Sequence, residues 1–145
     1  MRSNQQQLAM SALEAISFAK REAASIWELT AFILPNIGIL PVIQTVNKGV
    51  GRAGSAWQRA GIIEINIAYI CSHDSIEQHR CTIAHELAHI IVWRLYPKAK
   101  QAHGAEFRYI MGLMGFDSST YHSMSRKEAA KAVTAIETSL LIDSI

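Results

Sequence analysis

The stretch that decides the fold is Thr82-Ile83-Ala84-His85-Glu86-Leu87-Ala88-His89-Ile90-Ile91-Val92-Trp93. On an α-helix, residues four apart lie on one face about one turn from each other, so His85 and His89 can bind one ion. The carboxylate of Glu86 can reach a water molecule beside that ion. The flanking residues are apolar, as in a helix buried behind a site. This pattern predicts the zinc helix of a metalloprotease; two helix-face histidines beside a salt-bridging glutamate are the alternative.

A catalytic zinc site needs a third protein ligand and one open position. His103 is the best candidate, because it begins a second predicted helix beyond the loop that follows Pro97. Gly104 comes next and permits close approach of the backbone. Glu106 is the alternative, either as the third ligand of a His2Glu site or as a partner of a ligating histidine. The residues themselves leave both assignments open.

The composition is that of a globular protein, with 145 residues, 50% of them hydrophobic and 18% charged, and a net charge of +2. We expect one domain over residues 1–145. The polar N-terminus leads into no continuous apolar run, and prolines interrupt the most apolar window, residues 26–43. We therefore expect a cytoplasmic protein without a secretory signal or a membrane span. Cys71 and Cys81 form no CxxC pair and are expected to be free thiols, with a mutual disulfide as the alternative.

Hydrophobic spacing predicts an α+β fold. In residues 1–36, helical periodicity and capping-box matches at Ser11 and Ser25 predict two N-terminal helices that break near residues 24–25, or one long helix. We expect Trp27 and Phe32 in the core. The histidines before the zinc helix, His73 and His79, are expected to be solvated.

Residues 40–125 are expected to form the catalytic core. Three β-prone runs, residues 42–46, 53–57 and 62–67, predict a small antiparallel sheet of about three strands. The HExxH helix should run from residue 75 or 78 to the residue before Pro97. A second zinc-ligand helix should follow from residue 103 to about residue 114, and a C-terminal helix should cover residues 125–142.

The ordered motifs resemble those of the SprT-like (Spartan) family of zinc metalloproteases. The motifs are His85-Glu86-Leu87-Ala88-His89 and then His103-Gly104-Ala105-Glu106-Phe107. In that family the histidine of a His-Gly-x-x-aromatic motif is the third zinc ligand, which implies His103 here. Residues 53–57 and 62–66 look like two strand motifs of the family, and Tyr121-His122 matches a pair that follows the second helix in many members. The resemblance covers about residues 40–125 and implies a zincin-like metalloprotease core.

The resemblance also implies an activity. One catalytic Zn²⁺ on His85, His89 and His103 would activate water, and Glu86 would act as general base in the hydrolysis of protein substrates. We expect the substrate to add a strand along a sheet edge formed by residues 62–67. The residues considered for that edge are Trp57, Ile65 and Asn66.

Three further residues are candidates for a supporting role in the site: Glu106, Tyr121 and His122. The latter two could stabilise the oxyanion, and Glu106 could hold a ligating histidine. The alternative for each is ordinary packing or a helix cap.

The resemblance also implies DNA as a possible partner, because the family is linked to the repair of DNA–protein crosslinks. We expect no Cys-rich zinc ribbon of the kind that follows this domain in many members. The basic residues that could contact phosphates are Lys48, Arg52, Arg59, Arg94, Lys98 and Lys100. Acidic residues nearly balance them, which favours a solvated face.

Two other functions remain as alternatives. One is a non-catalytic zinc- or DNA-binding module that retains the fold. Intact Glu86 argues against it, because a water-activating base is unnecessary for structure. The other is a zincin of another family with Glu106 as its third ligand.

Overall fold

A computed structural model describes residues 8–49, 51–118 and 126–143 and has an α+β architecture. The elements in chain order are α1 (Ala12–Ile33), a 3-10 turn (Pro35–Ile37), β1 (Val42–Val46), β2 (Gly54–Trp57), β3 (Ile62–Asn66), α2 (Ile67–Ser72), α3 (Ile76–Leu95), α4 (Ala105–Leu113) and α5 (Arg126–Asp143). Among the helices in the described part of the chain, none combines the length and apolar character needed to cross a membrane.

The N-terminal region forms one helix, so the alternative of a single long helix is correct and the break near residue 24 is wrong. Ser11 caps α1, because its Oγ accepts a hydrogen bond from the backbone N–H of Glu14 at 3.2 Å. The buried face of α1 continues through Ala23, Ile26 and Trp27, and its burial outweighs the second capping signal. Phe32 is 90% exposed, which corrects the expectation of a core position. Phe32 lies five residues beyond Trp27, so the two side chains point in directions about 140° apart around the helix axis.

The sheet is mixed, which corrects the prediction of an antiparallel sheet. Its strand order is β1-β3-β2; β1 pairs with β3 in parallel, and β2 pairs with β3 antiparallel. The segment that connects β1 to β2 passes across one end of β3, so these two strands lie on opposite sides of β3. A hairpin between sequential strands would have given antiparallel pairing throughout.

The central position of β3 also corrects the expected substrate edge. Residues 62–67 cannot receive an added strand, because β3 is paired on both sides. Ile65 and Asn66 are each 1% exposed, so neither is available to a substrate. The alternating pattern predicts a strand with one exposed, polar face. Glu64 on that polar face is nevertheless buried, and its carboxylate pairs with Lys48 at 2.6 Å.

Asn66 connects the end of β3 to two other segments. Its Oδ1 accepts from the N–H of Ala68 and so caps α2, a helix that the sequence pattern does not predict. The same oxygen accepts from the N–H of Lys48, and Nδ2 donates to the carbonyls of Gly49 and Arg52. One buried amide therefore holds the crossover between β1 and β2.

Helix α3 is the central element of the core, packed against α1, β2 and α4. Ser75 caps its start, and the helix ends at Leu95, one residue earlier than predicted, with Tyr96 as its C-cap before Pro97. His79 in its first turns is 1% exposed, which corrects the expectation of a solvated side chain. The ring faces α1 and meets the ring of Phe18 edge-on, with 6.3 Å between centroids.

The remaining predictions on the framework have clear outcomes. Helix α4 begins at Ala105, two residues later than predicted, and α5 packs against α2. Cys71 and Cys81 are free and buried, as expected. Arg94 is part of the framework, since it donates to the carbonyls of Ile37 and Ile39.

Candidate metal centre

Three imidazoles from two parts of the chain converge on one point. His85 and His89 stand one turn apart on α3, with 3.2 Å between their Nε2 atoms. His103, just before α4, brings its Nε2 to 3.2 Å from that of His85. A tetrahedral metal with metal–nitrogen bonds of 2.0–2.1 Å holds its ligand nitrogens roughly 3.3 Å apart. The donor set therefore fits one metal ion.

Among the described residues, these three histidines are the one group of histidine, cysteine or carboxylate side chains close enough together to hold a metal; their ligand atoms lie within 4.8 Å of one another. Glu106 is not part of this group. It lies partly buried in the first turn of α4. The structure thus assembles His103 with the HExxH pair and leaves Glu106 aside.

Phe107 forms an aromatic floor under the three histidines. Its ring centroid lies 4.9 Å from that of His85, 4.8 Å from that of His89 and 4.9 Å from that of His103. The side chain is 1% exposed, so it excludes water from that side of the histidines. The sequence signal for this role is the aromatic position of the His-Gly-x-x-aromatic motif, four residues after His103.

A tight turn before α4 positions His103 beside the two histidines of α3. The N–H of Gly104 donates to the carbonyl of Gln101 at 3.3 Å. A Cβ atom on Gly104 would lie 3.2 Å from the Cβ of Gln101, closer than ordinary contact. Arg108 then donates to the carbonyl of His103 at 3.1 Å, which fixes the turn against the helix.

Glu86 is buried between α3 and the start of β2. Its side chain is 7% exposed. A Cβ atom on Gly54 would lie 2.8 Å from the Cγ of Glu86 and 3.0 Å from its Oε2, so the carboxyl group rests directly against the strand. Burial raises the pKa of Glu86 to about 8, and the positive charge of Arg52 opposes that rise. A group that both takes and returns a proton works best with a pKa near neutrality.

His89 is held in the form that binds metals. Burial, with a smaller contribution from the charge of His103, lowers the pKa of His89 to about 4. Its imidazole is therefore neutral at physiological pH, and metal ligation requires neutral imidazole.

The strand beside Glu86 has a free edge. Among the described strands, β2 pairs with β3 alone. Ala53 accepts from the N–H of Asn66 at 3.0 Å, and hydrogen-bonded positions alternate along an antiparallel pair. The backbone N–H and C=O groups of Gly54 and Ala56 therefore point away from β3, toward the open side.

The other predicted site residues are dispersed. Trp57 lies at the end of β2 and is 52% exposed. Ile65 and Asn66 lie in the interior, as described above. Tyr121 and His122 fall outside the described residues. The resemblance of residues 53–57 to a strand motif of the family includes Gly54, but nothing in the sequence indicates its contact with Glu86.

Comparison with known families matches residues 42–128 to the SprT-like family. Neither curated proteins nor solved structures give a significant match. The matched region is more than half of the chain and contains the whole sheet, Glu86 and the three histidines. The chain belongs to the SprT-like family.

Proposed function

We propose that this protein is a zinc-dependent endopeptidase with a zincin-like core. The observation that carries the proposal is the convergence of three imidazole Nε2 atoms beside a buried glutamate and a free strand edge. Membership of the SprT-like family supports it. Three imidazole nitrogen donors suit Zn²⁺, although imidazole also binds copper, iron and nickel.

His85, His89 and His103 would hold the ion. When bound, Zn²⁺ polarises the scissile carbonyl and makes water a stronger acid. The chain's own contribution to the chemistry is Glu86. Its carboxylate accepts a proton from the attacking water and later donates that proton to the departing amine. The floor formed by Phe107 and the burial of Glu86 limit competing solvent.

The substrate lies along β2 rather than β3. An extended peptide next to β2 can exchange backbone hydrogen bonds with Gly54 and Ala56, whose polar groups point outward. Such bonds involve no substrate side chains and so tolerate many sequences. Trp57, exposed at the end of the strand, offers a substrate side chain an apolar surface. The expected class of substrate is therefore an extended or unfolded protein segment, cleaved in the cytoplasm.

A non-catalytic zinc- or DNA-binding module is the weaker alternative. Lys48 is paired with Glu64, and Arg94 is used on backbone carbonyls, which reduces the basic surface available to phosphates. A non-catalytic module also has no need for a buried glutamate beside the histidines.

Glu86→Gln tests the proposal. Both proteins should be loaded with zinc to the same measured content and incubated with casein, and the products should be identified by mass spectrometry. We expect internal cleavage by the wild type and a loss of at least about 100-fold in kcat for Glu86→Gln, because the general base is gone. Equal cleavage by the two proteins would eliminate Glu86 as the base.

A further inference from the structure

Gly54 and Glu86 make the closest approach between the strand edge and the candidate site. We propose that Gly54 is the positioning residue for Glu86: the absence of a side chain at residue 54 leaves the space that the carboxyl group occupies. The expected effect on catalysis rests on the proposed function, whereas the expected effect on folding rests on the geometry alone.

The contact is too short for any side chain on residue 54. An added Cβ atom would lie 2.8 Å from Cγ, 3.2 Å from Cδ and 3.0 Å from Oε2 of Glu86, whereas ordinary contact begins at 3.4 Å. The first atom met is Cγ, close to the helix backbone, so rotation of the far end of the side chain cannot relieve the clash. Glu86 is 7% exposed and α3 packs on β2, which leaves little room for another rotamer.

Backbone conformation does not explain this glycine. The described glycines with positive φ are Gly38, Gly49, Gly61 and Gly115, and Gly54 is not among them. Glycine in the interior of a strand weakens the strand, because it has more freedom to lose and no side chain to pack. A glycine at such a position often marks a site where another group approaches closely. Here that group is the Glu86 carboxyl.

The contact between Gly54 and Glu86 therefore fixes the position of the catalytic base relative to the substrate-binding strand. With alanine at residue 54, the Glu86 carboxyl must shift by roughly 0.6 Å or more, and a misplacement on the order of 1 Å can lower a rate about 100-fold. The three heavy atoms nearest to the added Cβ atom all belong to Glu86 and none to a histidine, so zinc content should not change. The outward backbone groups of residue 54 also remain, so KM should stay within about threefold.

The test is a double-mutant cycle of Gly54→Ala with Glu86→Ala, measured first as Tm of the metal-free proteins. With Glu86 present, Gly54→Ala should lower Tm by roughly 5 °C, as overpacking does. In the Glu86→Ala background the space is vacant, and Gly54→Ala should lower Tm by nothing. If Gly54→Ala alone fails to fold, recovery of folding in the Glu86→Ala background supports the proposal. Equal losses in both backgrounds, or failure to fold in both, would overturn it.

Kinetics of the zinc-loaded proteins give the second measurement. We expect Gly54→Ala to lose about 100-fold in kcat, with one zinc per chain and nearly unchanged KM. Gly112→Ala is the matched control, since a Cβ atom on Gly112 meets nothing within 4 Å, and it should keep the wild-type kcat. A wild-type kcat for Gly54→Ala would refute the positioning role. If the wild type cleaves no protein at all, the proposed function fails and the Tm cycle still decides the steric inference.

Discussion

The ring of Phe107 stacks on the ring of His89, with 4.8 Å between their centroids and 29° between their planes. The same ring lies at nearly equal distance from His85 and His103. A single side chain of α4 thus supports ligands from both parts of the site. Its identity should therefore affect metal binding as well as folding.

Phe107→Leu should weaken zinc binding by about 10-fold, because groups that orient metal ligands typically contribute 10–100-fold to affinity. It should also destabilise the protein by about 1–2 kcal/mol through lost packing. Zinc affinity by competition with a chelating dye and stability by urea unfolding measure the two effects. Ile110→Val, buried in the same helix, is the packing control. If the two variants change zinc affinity equally at matched stability, the ring has no role in supporting the ligands.

The third ligand can be identified by zinc content. His103→Ala should bind zinc far more weakly than the wild type, because two histidines alone make a poor site. Glu106→Ala should retain one zinc per chain, since Glu106 lies outside the histidine group. Elemental analysis after dialysis distinguishes the variants. Zinc retained by His103→Ala and lost by Glu106→Ala would reverse the assignment.

The buried carboxyl of Glu86 should make the stability of the metal-free protein depend on pH. Burial raises the pKa of Glu86 from 4.5 to about 8, so the folded protein holds a proton that the unfolded chain releases between those pH values. Stability must then fall as pH rises through that window. Glu86→Gln removes this loss and should gain on the wild type by on the order of 4 kcal/mol by pH 8.

Urea unfolding of both proteins at pH 4.5, 6 and 8 with a chelator measures this difference. The two proteins should differ least at pH 4.5, where the glutamate is protonated in the folded protein and half protonated in the unfolded chain. Added zinc should reduce the difference at pH 8, because a nearby cation favours the carboxylate. A constant difference at every pH would show that Glu86 does not carry the effect.

The substrate edge can be tested with proline. Ala56→Pro removes an N–H that points away from β3, and edge strands tolerate proline where the N–H faces outward. We expect a folded protein whose KM rises by up to about 10-fold, the value of one hydrogen bond. Ser55→Pro is the matched control, because it removes a ladder bond to β3, where Ser55 is opposite Glu64. It should unfold the sheet. An unchanged KM for folded Ala56→Pro would place the substrate elsewhere.

The candidate site was more predictable from sequence than the sheet. The spacing of His85 and His89 places both on one helical face, and Pro97 marks the end of that helix, so both features are local. The partnership of these residues with His103 depends on the resemblance to the family, because spacing alone left Glu106 open. The proximity of Gly54 to Glu86 is a tertiary contact that no local pattern encodes.

The sheet was mispredicted because period-two alternation identifies a strand but not its neighbours. Ile62–Asn66 forms the central strand and not an edge strand. The chain runs from β1 at one edge to β2 at the other and then returns as β3 between them. The side chain that holds this crossover, Asn66, falls by alternation on the same polar face as Glu64, and only the family motif over residues 62–66 distinguishes it. His79 and Phe32 were misplaced for a similar reason, since their exposure depends on where α1 lies against α3.

The most direct test of the account is a zinc titration of the metal-free protein that follows bound zinc and casein cleavage in the same samples. We expect both to rise together and to reach a plateau at one zinc per chain, with Glu86→Gln binding the same zinc and cleaving at least about 100-fold more slowly. Cleavage by the metal-free protein, or a wild type that is fully loaded with zinc and cleaves no faster than Glu86→Gln, would contradict the account.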